Sequence, residues 1–273
     1  MLYVSQSTVT ARIQELEREL GCALFVREAR GVKLTEAGRV FLRHAQRILQ
    51  NMAEGRAALQ VAQSGVTGQL RVMACHVPAA YDLPRLLRRW ISEKPGRTVR
   101  VQTGPSKKIF RAMLNGEIHA GFVNVRFRHP DLETEVLAER PLAIVAGGSR
   151  RIEDAAAEGV PVLYLEEELE DALLARSICH QLGLSEANTA GVSDMLALKG
   201  LLLQDIGIGI VPRAAVEAEL AAGALHELDL GEGFALPTQI TCLLLRKDQA
   251  DSGMGPLINA FVRAAKRHYR QDA

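Results

Sequence analysis

Residues 5–38 read SQSTVTARIQELERELGCALFVREARGVKLTEAG, and the order of their parts decides how the chain is organised. Val9, Ile13, Leu16 and Leu20 recur at intervals of four, three and four, which places them on one stripe of an α-helix. Ser5 stands where an N-cap belongs and Gly21 where a helix stops. The opposite face carries Ser7, Ala11, Gln14, Glu15 and Arg18, with Gln6, Thr10 and Arg12 near the exposed first turn. Beyond Gly21, Ala23–Val26 and Val32–Leu34 predict two short extended pieces around the loop Glu28-Ala29-Arg30-Gly31, the outline of a wing. The stripe alone would be core packing. The caps and the wing turn it into a DNA-reading helix, which requires this order of parts.

Thr35 then caps a second helix, predicted from about Glu36 to about Gln63. Phe41, Ala45, Ile48, Met52, Gly55, Leu59 and Ala62 alternate at four and three, a coiled-coil-like seam about 40 Å long. An intramolecular core helix would not need so long a seam, so Phe41, Ala45, Ile48, Met52 and Leu59 are expected to pair with a second copy. The run Ser64-Gly65-Val66-Thr67-Gly68 reads as a linker.

From Gln69 the texture changes to alternating strands and helices. Strands are predicted at 70–74, 99–102 and 120–124, with helices at 83–93 and 107–114, a βαβαβ unit with a parallel sheet. Residues 141–146 read as a further strand. A second unit follows, with strands at 160–165, 190–192 and 207–211 and helices at 168–182, 195–203 and 213–221. A last strand at 239–245 and a helix at 256–269 close the chain. The expected domains are a DNA-binding part over 1–35, a linker helix over 36–63, subdomain I over 69–146 and 239–273, and subdomain II over 147–238. Two α/β halves joined by two crossovers make a hinged clamp.

Composition narrows the classes. At 273 residues two domains can each bury a core, and no apolar run reaches the roughly 18–20 residues of a membrane span. No signal-peptide pattern opens the chain, so a cytoplasmic protein without membrane contact is expected. Net charge is +1, but residues 1–64 hold nine Arg/Lys against six Asp/Glu (+3) and the rest 24 against 26 (−2), which suits a basic nucleic-acid module on a neutral body. Cys22, Cys75, Cys179 and Cys242 are widely spaced and read as reduced thiols, and the seven His form no ligand cluster, so neither metal nor cofactor is expected. In Gly207-Ile208-Gly209 the third glycine of a dinucleotide loop is replaced by Pro212, leaving a closely packed strand as the reading.

The block Ser5-Gln6 … Ile13 … Leu16-Glu17 … Leu20-Gly21 … Leu24-Phe25-Val26-Arg27 … Leu34-Thr35-Glu36-Ala37-Gly38 resembles the LysR-type transcriptional regulators. So do Gly68-Gln69-Leu70-Arg71-Val72, Asn115-Gly116-Glu117-Ile118 and Gly207-Ile208-Gly209-Ile210-Val211-Pro212, in this order and at these distances. The resemblance implies an α plus α/β architecture: a winged helix-turn-helix, a dimerising linker helix, and a two-part effector domain like type-2 periplasmic binding proteins. It also implies a homodimer or homotetramer on an interrupted inverted repeat of double-stranded promoter DNA, switched by a small-molecule effector. Gln6, Ser7 and Thr10 match positions that enter the major groove, Arg27 a phosphate contact and Arg30 a wing contact. Ala11 stands where many members have Arg, and Arg12 is turned away by one helical step. His119 replaces a frequent Asp. Met1–Val4 match only the tail of the preceding helix, so the winged helix-turn-helix is expected to be partial, N-terminally truncated, with a frayed and weakly DNA-binding start.

Within the clamp, ligands are expected beyond the carboxyl ends of the strands. His76 follows the first strand there. Ser106 and Lys107 open the next helix, where a hydroxyl, a helix N-terminus and a cation can hold a carboxylate. Asn124 and Arg126 follow the third strand, and Leu165 and Ser193 contribute from the second half. This rim predicts a small anionic metabolite. No convergent Ser/His/Asp or metal set is found, so no catalytic residue is expected and the chain reads as a regulator, not an enzyme. Two alternatives stand beside it: a truncated effector-binding and dimerisation protein without DNA binding of its own, and a cytoplasmic solute-binding protein on the same clamp.

Overall fold

The computed structural model describes residues 5–28, 31–64, 69–148, 151–231 and 234–271. Met1–Val4, Arg30 and the linker residues 65–68 therefore lie outside the described residues. The chain divides into two compact units, 1–56 and 57–273.

The first unit opens with α1 (Gln6–Leu20). Ser5 Oγ accepts the Thr8 N–H at 3.2 Å, and Gly21, at φ 68°, lets its own N–H and that of Cys22 turn back to Arg18 and Glu17 carbonyls. The helix is regular and capped at both ends, while its stripe has little cover: Val9 is 45% and Leu20 41% exposed. β1 (Phe25–Glu28) and β2 (Gly31–Leu34) form a hairpin in which Glu28 pairs with Gly31. Glu17 Oε1 fastens α1 to it, accepting the Leu24 and Phe25 N–H groups at 2.7 and 3.0 Å. Thr35 Oγ1 donates to Ala23 O at 2.7 Å and accepts the Gly38 N–H at 2.9 Å, starting α2 (Glu36–Ser64). A Cβ on Gly38 would lie 2.0 Å from Leu24 O, so only glycine lets the helix approach the buried Leu24 this closely. Along α2, Phe41 and Ala45 are half-buried, whereas Ile48, Met52 and Leu59 stand exposed.

The second unit runs β3 (Gln69–Ala74), α3 (Leu83–Ser92), β4 (Thr98–Thr103), α4 (Ser106–Leu114), β5 (Ala120–Val123) and β6 (Leu132–Ala146). It continues with α5 (Ile152–Glu158), β7 (Val162–Leu165), α6 (Leu169–Gln181), β8 (Thr189–Val192) and α7 (Met195–Leu203). β9 (Ile208–Pro212), α8 (Glu217–Ala221), β10 (His226–Glu227), β11 (Thr238–Arg246) and α9 (Gly255–Gln271) complete it. The strand order β4-β3-β5-β11-β6-β9-β7-β8, with β10 on β6, makes two subdomains that share β6. β3 pairs parallel with β4 and β5, and β7 parallel with β8 and β9; β5, β7 and β9 are buried apolar runs, while the edge strands β4 and β8 stay largely exposed.

One boundary is corrected. Residues 132–141 of β6 pair with β11, but 142–146 pair with β9, so the end of the strand expected in subdomain I belongs to subdomain II. Pro141 has no N–H to continue a ladder, and the apolar run Leu142–Ala146 finds its partner on the other sheet. Subdomain I packs Trp90, Phe122 and Phe261 on one face of its sheet and Ile109, Met113 and Leu244 on the other. In subdomain II, Leu202 Cδ1 would be 2.6 Å from a Cβ on Gly209, which makes Gly209 a close-packing position, not a nucleotide loop. Within subdomain I, beside the crossover, Asp82 is 4% exposed and ties the start of α3 to β6 and α9: Arg140 reaches it at 2.8 and 3.0 Å and the Tyr269 hydroxyl at 2.6 Å.

Candidate functional site

On α1, Gln6, Ser7 and Thr10 are exposed on the first turns, and Thr10 Oγ1 donates to Gln6 O at 2.9 Å. Gln14 joins the same side one turn on. Arg12 lies about 140° round the helix from Ser7 and is engaged by Glu15 at 2.9 Å. The helix therefore does not bring it beside the other three. Arg27 is exposed on β1, opposite Val32.

The cleft lies where β3, β4 and β5 of subdomain I and β7 of subdomain II end. Carboxylates from subdomain II fill it. Glu167, 5% exposed in its side chain, accepts the His76 backbone N–H at 2.7 Å and the His76 ring Nδ1–H at 2.6 Å on Oε1. Its Oε2 accepts Asn124 Nδ2–H at 2.9 Å. Glu168 Oε1 accepts the Lys107 backbone N–H at 3.0 Å, and Lys107 Nζ lies 3.0 Å from Glu168 Oε2 and 3.2 Å from Glu170. Asp171 accepts the N–H groups of Glu167 and Glu168, both at 2.9 Å, which fixes the turn that presents them. Burial pushes the Asp171 carboxyl above the ordinary range against these bonds, and neighbouring Glu168 and Glu170 add to the rise. Burial, then the Glu167 charge, pushes the Cys75 thiol up beyond any reactive range.

Among the expected cleft residues, His76, Lys107 and Asn124 converge and the others do not. Ser106 is 2% exposed; its hydroxyl accepts the Asn124 N–H at 3.2 Å and meets Cys75 Sγ at 3.1 Å, tying strand ends together inside subdomain I. Arg126 turns to Glu139 on β6 at 3.6 Å. Leu165 is 8% exposed and packs in the core with Leu163 and Leu198. Ser193 is exposed beside Asp194, whose carboxylate already caps α7 on the Ala197 N–H at 2.9 Å. Glu167 and Glu168 were missed, although three consecutive carboxylates directly after a parallel strand are a readable signal. Away from the strand ends, a polar hollow of about 480 Å³ opens at the hinge beside Arg140, lined also by Tyr81, Asp82, Arg85, Arg213 and Glu217. Among the described residues no group of three or more His, Cys, Asp or Glu is placed to hold a metal, and no helix is long and apolar enough to cross a membrane.

A capped helix and wing, followed by a two-part α/β clamp closed over polar strand ends, define a DNA-binding regulator with an effector domain. Family models agree: residues 63–270 match the LysR substrate binding domain, and residues 1–39 the bacterial regulatory helix-turn-helix protein of the lysR family. The chain belongs to the LysR family of transcriptional regulators. It is 26% identical over 273 residues to the HTH-type transcriptional regulator GltR of Bacillus subtilis, covering 98% of this chain and 90% of that protein. It also matches full-length CbnR complexed with its target DNA at 26% identity, covering 97% and 91% of the two chains with a TM-score of 0.63. ArgP of Mycobacterium tuberculosis, 20% identical, shares the fold with a TM-score of 0.70 over 98% of this chain and 89% of that one.

Proposed function

We propose that the chain controls transcription in the cytoplasm as a homodimer or homotetramer, and that a small anionic metabolite bound between the two subdomains sets its state. The observation that carries the anion is the cleft itself: the His76 N–H and ring, the Lys107 N–H and the Asn124 Nδ2 of subdomain I all donate there, and carboxylates occupy those donors. An anion binding the same donors has different affinities for the open and closed clamp, and so shifts their populations. The exposed seam Ile48, Met52 and Leu59 would pair two copies. Linked through α2, the change in closure would alter how paired reading helices are spaced on an inverted repeat. Gln6, Ser7 and Thr10 would read base edges in the major groove, and Arg27 and the wing would hold phosphates. CbnR, 26% identical and crystallised with its target DNA, supports double-stranded DNA as the partner.

The test selects DNA from a random pool with the full chain and measures its binding and footprint against a panel of small carboxylates and phosphates. The expected result is an inverted repeat whose footprint or affinity changes with at least one anion. Selection of no preferred sequence would leave the chain as an effector-binding dimerisation partner. A footprint indifferent to every anion would sink the proposed switch.

A further inference from the structure

Both oxygens of Glu167 and both oxygens of Glu168 are received by subdomain I, and each carboxylate has its own seat. The first seat is the His76 N–H, the His76 ring and Asn124 Nδ2; the second is the Lys107 N–H and its ammonium. We infer that the cleft is built for a short ligand with two anionic groups and a hydroxyl or amine beside one of them, for which Glu167 and Glu168 are tethered stand-ins. This rests on the reading of the cleft as the effector site and names the ligand class it takes.

Three observations carry it. Each seat combines a backbone N–H with a side-chain donor and engages both oxygens of one carboxylate, the pattern of a bound acid rather than of a loose surface pair. Two seats that open into one cleft ask for two acids, because a ligand filling one seat leaves a tethered carboxylate in the other and the clamp half shut. Third, Asn124 Oδ1 is buried and has no hydrogen-bond partner among the described residues. Glu167 satisfies only the donor half of that amide. A hydroxyl or amine next to the acid in the first seat would satisfy the acceptor half, which no carboxylate can do. Hydroxy- and amino-dicarboxylates have this pattern. The tethered acids also make such a ligand compete with the chain, so apparent affinity falls with the fraction of closed clamp.

Hydrogen exchange at the His76 and Lys107 backbone amides of the full chain reads both seats directly, with L-malate, succinate and acetate as probes. In the unaltered protein both amides should exchange slowly. In Glu167→Ala/Glu168→Ala they should exchange at least about tenfold faster, each having lost its acceptor. L-malate should slow them again at lower concentration than succinate, and acetate should act last. Glu166→Gln, which removes one carboxylate charge next to the pair without touching either seat, should leave both amides as they were. Unchanged exchange at Phe122 in β5 certifies the fold; if the alanine pair loses it, the single variants Glu167→Ala and Glu168→Ala, each read at the amide of its own seat, take its place. Fast exchange of both amides in the unaltered protein overturns the inference, and so does a variant that no probe protects. Equal potency of malate and acetate overturns the two-anion class. Protection by malate with no change in DNA binding refutes the switch proposed above and leaves the seats standing.

Discussion

Asp82→Ala separates the two ways in which a buried ion pair can matter at the hinge. The carboxylate is 4% exposed and holds Arg140, itself one-fifth exposed in its side chain, at 2.8 and 3.0 Å, while the Tyr269 hydroxyl donates to it at 2.6 Å. Removing it leaves the Arg140 guanidinium with its charge uncompensated against the Tyr269 ring, and such a loss costs about 3–5 kcal/mol. With a urea slope of about 2–3 kcal/mol per molar for a unit of this size, the midpoint should fall by about 1–2 M. Arg140→Met added to Asp82→Ala removes the stranded charge, so the double variant should be more stable than the single by about 1–3 kcal/mol. Urea unfolding followed by far-ultraviolet circular dichroism measures the parent, both single variants and the double. A single variant within about 1 kcal/mol of the parent, or a double variant that is simply the sum of its parts, would refute the reasoning.

Gly38→Ala must move Leu24 O from 2.0 Å to ordinary contact near 3.4 Å, which strains the Thr35 N–H···Leu24 O bond; a local loss of about 1–3 kcal/mol should appear as faster exchange of the Thr35 amide. Gln6→Ala should weaken binding to the selected DNA by about 1–3 kcal/mol, whereas Arg12→Ala, turned aside and paired with Glu15, should change it less than about twofold in a gel-shift titration. The clasp should also depend on pH at both ends. Hydrogen bonds to Glu168 and then Glu170 hold Lys107 above the ordinary 10.5, so its contribution is complete below that value and fades as pH rises through the folded one. Glu170 is held below the ordinary 4.5, by a bond to its own backbone and then by Lys107, so its contribution is complete above 4.5 and fades as pH falls through the folded value. Energy transfer from Trp90 in subdomain I to a dye at Ser185→Cys, in a Cys22→Ser background, should be constant across the middle range and fall on either side.

The parts that local periodicity controls were legible in the sequence. The 9-13-16-20 stripe, its caps at Ser5 and Gly21, and the hairpin each follow from residues within one turn or one hairpin and are found, with the first strand two residues later than expected and Glu28 and Gly31 paired in it. The cleft was legible only to the strand ends. Leu165 was named because it ends β7, but the side chains that enter the cleft come two and three residues later, after the backbone has left the strand. Ser106 was sought for its hydroxyl at a helix start; the first turn of α4 aims it inward, where the Asn124 N–H claims it. The partner of His76 lies 91 residues away, and no spacing rule reaches that far. Arg126, expected on the rim, instead meets Glu139 on β6, which lies two strands from β5 in the sheet, an order that the sequence does not display.

Thr238 and Pro141 face each other across β11 and β6. The chain thus leaves for subdomain II and returns from it at two positions that are already hydrogen-bonding neighbours in subdomain I. In topology, subdomain II is inserted between two paired strands: exchanging residues 142–237 for the matching segment of another family member would replace Glu167 and Glu168 while leaving in place the elements that carry His76, Lys107 and Asn124. On the proposed reading of the cleft, one contiguous segment would then carry half of the ligand specificity and could be exchanged without touching α1.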